Sequence, residues 1–262
     1  MNNKIEPSDI IVLEWTFSPP DYFEVPIPIN RNDYEMLIGN GKVEAKIRPE
    51  VFENNPTMRD DLTKTLNDRF LGVQLLTHKP FQLSKASMYG LHPDGRKDVT
   101  VFVDPISVAV AFGTADIIIT DKNGKVTYDS KKERIDKKKQ LSELSAKYRE
   151  SDPTAASLLN SYKMAVNDPN NELVHLYEIL DALSKRFGGK SAACSALNIS
   201  LTKWSRLGLL ANHEPLKQGR HRGKNPGSLR DATDTELTEA RQIARTFVEA
   251  YILYLEGSKT NE

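Results

Sequence analysis

The chain has one cysteine, Cys194, so no disulfide framework holds it together, and no grouping of Cys and His has zinc-site spacing. It has no net charge, with 36 Lys and Arg against 36 Asp and Glu, so any charged surface must come from local segregation. No apolar run approaches the length that spans a bilayer. The starting segment MNNKIEPSD lacks the basic-then-apolar layout of a secretory signal. A cytoplasmic protein with no membrane partner is the expectation. Catalytic fingerprints are also missing: there is no nucleophile elbow, no dinucleotide glycine motif and no recognisable carboxylate pair, and no cofactor is implied. Gly189-Lys190-Ser191 is not a phosphate loop, because Ser184 stands where that motif needs glycine and the pattern before it is helical.

What is present describes a globular protein of 262 residues, 39% hydrophobic and 27% charged, long enough for two domains. Strict alternation ending in Leu13, Trp15 and Phe17 predicts a half-buried strand at 10–17. Segments 34–38 and 42–47 flank Gly39-Asn40-Gly41 as a hairpin. Met58, Leu62, Leu66 and Phe70 recur every four residues, which predicts a helix at 57–70; the following LGVQLL is ambiguous. Short strands are expected at 99–103, 108–112 and 117–120, the last joined through Asn123-Gly124 to 125–128. Asp94, Asp104, Asp116 and Asp121 fall at strand ends and turns and read as structural.

The predicted fold class is α+β: a mainly antiparallel domain at 1–128, a charged connecting helix at 129–150, and an all-helical domain at 151–257. The connecting segment has eight basic and four acidic residues between 130 and 150 and is expected to be largely solvated. Asp152-Pro153 and Asp168-Pro169 each open a helix, the second with the stripe Leu173, Leu176, Tyr177, Leu180, Leu183 and Phe187, ended by Gly188-Gly189. His175 reads as a packing residue beside that stripe. Glu178 and Asp181 are the acids on the same helix. Thr233-x-x-Glu236 is a capping box for a last helix with Leu237, Ala240, Ala244, Phe247 and Tyr251 buried, closed by Gly257.

The stretch 191–224 carries the chemistry. Between Lys203 and Arg230 there are seven Lys or Arg residues (Lys203, Arg206, Lys217, Arg220, Arg222, Lys224 and Arg230) against Glu214 alone, a local +6 in a neutral chain. Such segregation marks an anion-binding face. Gly219, Gly223 and Gly227 leave the backbone open to close approach. Over 191–213, Ala193, Cys194, Leu197, Asn198, Ile199, Trp204 and Leu207 have the spacing of a helical corner. Asn198 sits at a turn needing positive φ and Ser200 caps the second helix. This spacing resembles helix-turn-helix proteins, which implies nucleic-acid contact from Thr202, Lys203, Ser205 and Arg206.

A second, single-motif resemblance is Arg206-x6-His213, similar to the Arg-x4-6-His motif of HEPN-domain ribonucleases. It implies metal-independent RNA cleavage by Arg206 and His213, with His221 as a further participant, usually across two subunits. Leu207 departs from the polar residue that family carries there. The favoured expectation is a non-enzymatic nucleic-acid-binding protein, DNA or RNA, contacting phosphates through Thr202, Lys203, Arg206, Lys217, Arg220, His221, Arg222 and Lys224. The alternatives are the ribonuclease, or a basic loop that docks an acidic protein partner; a homo-oligomer is compatible with each. No metal is expected.

Overall fold

The structure, a computed structural model, describes residues 10–92, the backbone of 97–100, and residues 116–224 and 227–259. Alternation at the N terminus makes a sheet. β1 (Ile10–Ser18) buries Leu13, Trp15 and Phe17 and leaves Thr16 in solvent, as a strand with one wet face must. β2 (Ile27–Asn30), β3 (Tyr34–Gly39) and β4 (Lys42–Ile47) follow, then α1 (Pro49–Glu53), α2 (Met58–Thr77), β5 (Gln82–Leu83), β6 (Ser87–Leu91) and β7 (Lys97–Thr100). The strand order is β2-β3-β4-β1-β6-β7 with β5 also on β1, and every pairing is antiparallel. Asn40 and Gly41 turn β3 into β4 at φ of 53° and 76°, the left-handed pair a two-residue hairpin loop demands. Met58, Leu62 and Leu66 of α2 are buried, and the Trp15 indole N–H donates to Thr63 Oγ1 at 3.0 Å.

β8 (Ile118–Thr120) and β9 (Val126–Asp129) form a separate hairpin. Asp121 Oδ1 accepts the backbone N–H groups of Asn123 and Lys125 in its turn, and Asp116 accepts from Arg134, so both acids are structural. Asp94 and Asp104 lie outside the described residues, as does the strand expected at 108–112. The one expected at 99–103 is described only as far as Thr100.

Helices make the remainder: α3 (Ser130–Tyr148), α4 (Pro153–Asn167), α5 (Glu172–Phe187), α6 (Lys190–Ala196), α7 (Leu201–Asn212) and α8 (Asp234–Lys259). An antiparallel sheet followed by helices is the α+β layout. The chain divides into two compact units, Met1–Asn67 with Phe81–Gln140, and Asp68–Pro80 with Leu141–Glu262. Thus α2 and α3 each begin in the first unit and end in the second.

Two helices differ from expectation for one reason. α2 runs to Thr77 because LGVQLL continues it, with Leu71, Val73, Gln74 and Leu75 all buried; a helix enclosed on most sides has no amphipathic stripe to betray it. The second half of α3 is likewise not solvated: Leu141, Ser142, Leu144, Ser145 and Tyr148 are buried. Gly72 explains how they meet. A Cβ there would lie well inside van der Waals distance of the Leu141 carbonyl and 2.7 Å from Ser145 Oγ, so only glycine lets these backbones approach.

The helical unit also buries an ionic chain. Glu172, in the first turn of α5, is 1% exposed and receives both the Nε–H and an Nη–H of Arg241, at 2.5 and 2.7 Å. His78 Nε2 lies 3.4 Å from the same carboxylate, and His78 Nδ1 lies 3.3 Å from Tyr162 Oη. Burial works to raise the Glu172 pKa, but the bonds from Arg241 and His78 together outweigh it and hold the carboxyl below its ordinary value. Asp168 does not cap α5; a 3-10 turn, Pro169–Asn171, intervenes, and Asp168 accepts instead from the Asn171 side chain at 2.7 Å. α8 passes through Gly257 to Lys259 rather than stopping there.

Candidate nucleic-acid interface

The corner is built as its residue types require. Gly188, at φ 77°, ends α5 in the left-handed conformation, and α6 starts two residues later. Asn198 takes φ 50° in the turn, the Ile199 N–H donates to Cys194 O, and Ser200 Oγ caps α7 by accepting the Lys203 N–H at 3.3 Å. Ala193, Cys194, Leu197, Trp204, Leu207 and Leu210 face inward, with the Trp204 ring 5.7 Å from Phe247 of α8. Burial raises the Cys194 thiol pKa, as for a packing residue rather than a nucleophile.

The outward-facing residues of the corner include no acid of its own, and Leu201 and Leu209 are exposed among its polar side chains. No Asp or Glu occurs from residue 182 to 213, while Lys185, Arg186, Lys190, Lys203 and Arg206 do. Thr202, Lys203 and Ser205 are exposed in the first turns of α7, and the Lys190 ammonium donates to Ser205 Oγ at 2.6 Å. Thr202, Arg206 and Leu209 follow one stripe at helical spacing, with His213 capping its C-terminal end. α7 therefore stops one residue short of His213. Arg206 is held by Glu239 of α8 through Nε and Nη2, at 3.0 and 2.9 Å.

The loop after α7 is a closed structure. Leu216 and Arg230 form a bridge, the Lys217 N–H donating to Arg230 O and the Arg230 N–H to Pro215 O. The Arg220 N–H donates to Ala211 O at 2.8 Å and folds the loop onto the end of α7. Gly219 serves this fold: a Cβ there would stand 3.2 Å from the Ala211 and Leu216 carbonyls. Among the described residues, nothing lies within 4 Å of where a Cβ would stand at Gly223 or Gly227.

Most of the local +6 is answered in space by acids, all but Glu214 outside the counted segment. Lys217 pairs with Asp231 at 2.8 Å, Arg220 with Asp181 at 3.3 Å, and Arg230 with Glu236 at 2.7 Å and Glu214 at 3.8 Å. Arg220 also lies over the Tyr177 ring, 4.2 Å from its centroid. Arg222 turns inward, donating to the carbonyls of Gly219 and Asn170 and to Asn171 Oδ1. Among the described residues, Lys203, Lys224 and Lys190 have no carboxylate partner. His213 and His221 are exposed.

Of the two acids singled out on α5, Asp181 is the partner of Arg220, and Glu178 is engaged elsewhere. Glu178 accepts from Ser161 Oγ at 3.1 Å, and His175 Nε2 lies 3.4 Å from Asp168. Among the described residues no group of three or more His, Cys, Asp or Glu is placed to hold a metal ion, and no helix is long and apolar enough to cross a membrane. No family model, curated protein or solved structure matches the chain.

Proposed function

We propose that this is a nucleic-acid-binding protein whose α6–α7 corner docks on duplex DNA. The observation that carries the reading is that α6 and α7 contribute no acid to the outer face of that corner. Short hydrogen-bonding residues, Thr202 and Ser205, stand in the first turns of α7 beside two cations, Lys190 and Lys203, that have no carboxylate partner among the described residues. A helix that enters the major groove reads base edges with residues of this kind near its N terminus, while flanking lysines meet phosphates. Leu209, 39% exposed one turn beyond Arg206, supplies an apolar contact of the sort thymine methyl groups accept. The narrow major groove of A-form RNA does not admit a helix, which favours DNA as partner.

Fluorescence anisotropy with a labelled duplex, across a salt series at neutral pH, tests the proposal. Binding should weaken steeply as salt rises, and Lys203→Ala should weaken it on every sequence while reducing the log–log salt slope by about one. The absence of any binding at ~50 mM salt would refute it. Cleavage of RNA that disappears in His213→Ala would replace it with the ribonuclease reading.

A further inference from the structure

The loop brings two histidines to the C-terminal end of α7. His213 is the residue on which that helix ends, and the bond from the Arg220 N–H to Ala211 O returns the chain, one residue before His221, to the same helix end. A 3-10 turn then keeps Lys224 close to His221 along the backbone, its N–H donating to His221 O at 3.0 Å. We propose that His213, Arg220, His221 and Lys224 form a proton-dependent phosphate clamp, which tightens the grip on DNA as pH falls. The inference rests on the nucleic-acid reading above.

The groups facing the clamp decide its sign. From α5, Asp181 is already paired with Arg220, and Tyr177 stacks beneath the same guanidinium. From the loop, Glu214 is turned to Arg230 at 3.8 Å. Lys224 has no carboxylate partner among the described residues. Desolvation, and then the charges of Lys224, Arg220 and His213, hold the His221 pKa below the ordinary histidine value. His221 is therefore mostly neutral at pH 7 in the free protein. A phosphodiester placed among these groups favours the imidazolium, so binding takes up protons. Affinity rises as pH falls toward and through the free-state value, and levels off below it.

The test is duplex affinity by anisotropy at pH 7.5 and pH 5.5 in constant salt, on the full chain. The wild type should bind about tenfold or more tightly at pH 5.5, since uptake of one proton is worth up to tenfold per pH unit. His213→Gln with His221→Gln should bind alike at both pH values, because no histidine then remains in the clamp. His221→Lys should bind as tightly at pH 7.5 as the wild type does at pH 5.5, which separates lost charge from lost structure. Affinity independent of pH in the wild type, or the same pH dependence in the double variant, overturns the clamp and leaves DNA binding standing. Failure to bind duplex at either pH overturns both.

Discussion

Asn198 shows how much one residue type decides. The corner turns on a single backbone position at φ 50°, where a Cβ crowds the following carbonyl, and asparagine is among the few non-glycine residues that adopt it readily. Asn198→Ala should cost about 1 kcal/mol by urea denaturation, whereas Asn198→Gly should be close to neutral. Equal losses for the two would mean that the side chain, and not the backbone angle, matters there. Arg206 makes the complementary point. Its charge belongs to a pair with Glu239, so it contributes to α7–α8 packing as well as to the outer face.

At the scale of elements, the crossing of α2 and α3 depends on Gly72. Alanine in a helix interior is favoured over glycine by about 1 kcal/mol. Here that gain is outweighed, because the added methyl would collide with the Leu141 backbone, which cannot move aside as a flexible side chain can. Gly72→Ala should therefore lower stability by a net of about 1–3 kcal/mol, read from the urea midpoint at unchanged slope. A more stable variant would show that the helices are free to separate. α8 illustrates the reverse case, an element whose start is fully local. Thr233 and Glu236 exchange bonds, the Thr233 N–H reaching Glu236 Oε2 at 2.9 Å and the Glu236 N–H reaching Thr233 Oγ1 at 3.2 Å, and Arg230 clamps the same carboxylate.

For the whole molecule, carboxylates held by arginine set the acid limit of stability. Arg134, with Lys138, holds Glu24 at a pKa of about 2, and Arg230 with the Thr233 backbone N–H does the same for Glu236, also about 2. Glu172 is lowered too, against the effect of its burial. Each folded value lies below the unfolded one, so each contribution is fully present above the ordinary glutamate range and is lost as pH falls through it toward about 2. The urea midpoint should hold from neutrality to about pH 5 and then decline steadily, and Arg241→Ala should lower it throughout by stranding the buried Glu172 carboxylate. A midpoint that rose on acidification would contradict the assignment.

Sequence alone determined what local physics controls. The period-two strands, the Asn40-Gly41 hairpin, the Asp152 cap, the Asn198 turn and the Thr233–Glu236 box all depend on neighbours within a few residues, and all are present. The α+β class follows from those pieces. The second half of α2 was not legible, because burial on most sides erases periodicity, and neither was the buried face of α3, whose serines look solvated until a glycine is brought against them. The candidate site divides the same way. The acid-free corner can be counted along the chain, but which cations remain available is decided by Asp181, Asp231, Glu236 and Glu239, up to 39 residues from their partners. Only the tertiary structure could decide that, because charge compensation acts through distance in space and a linear tally carries no information about which acids fold back onto which bases.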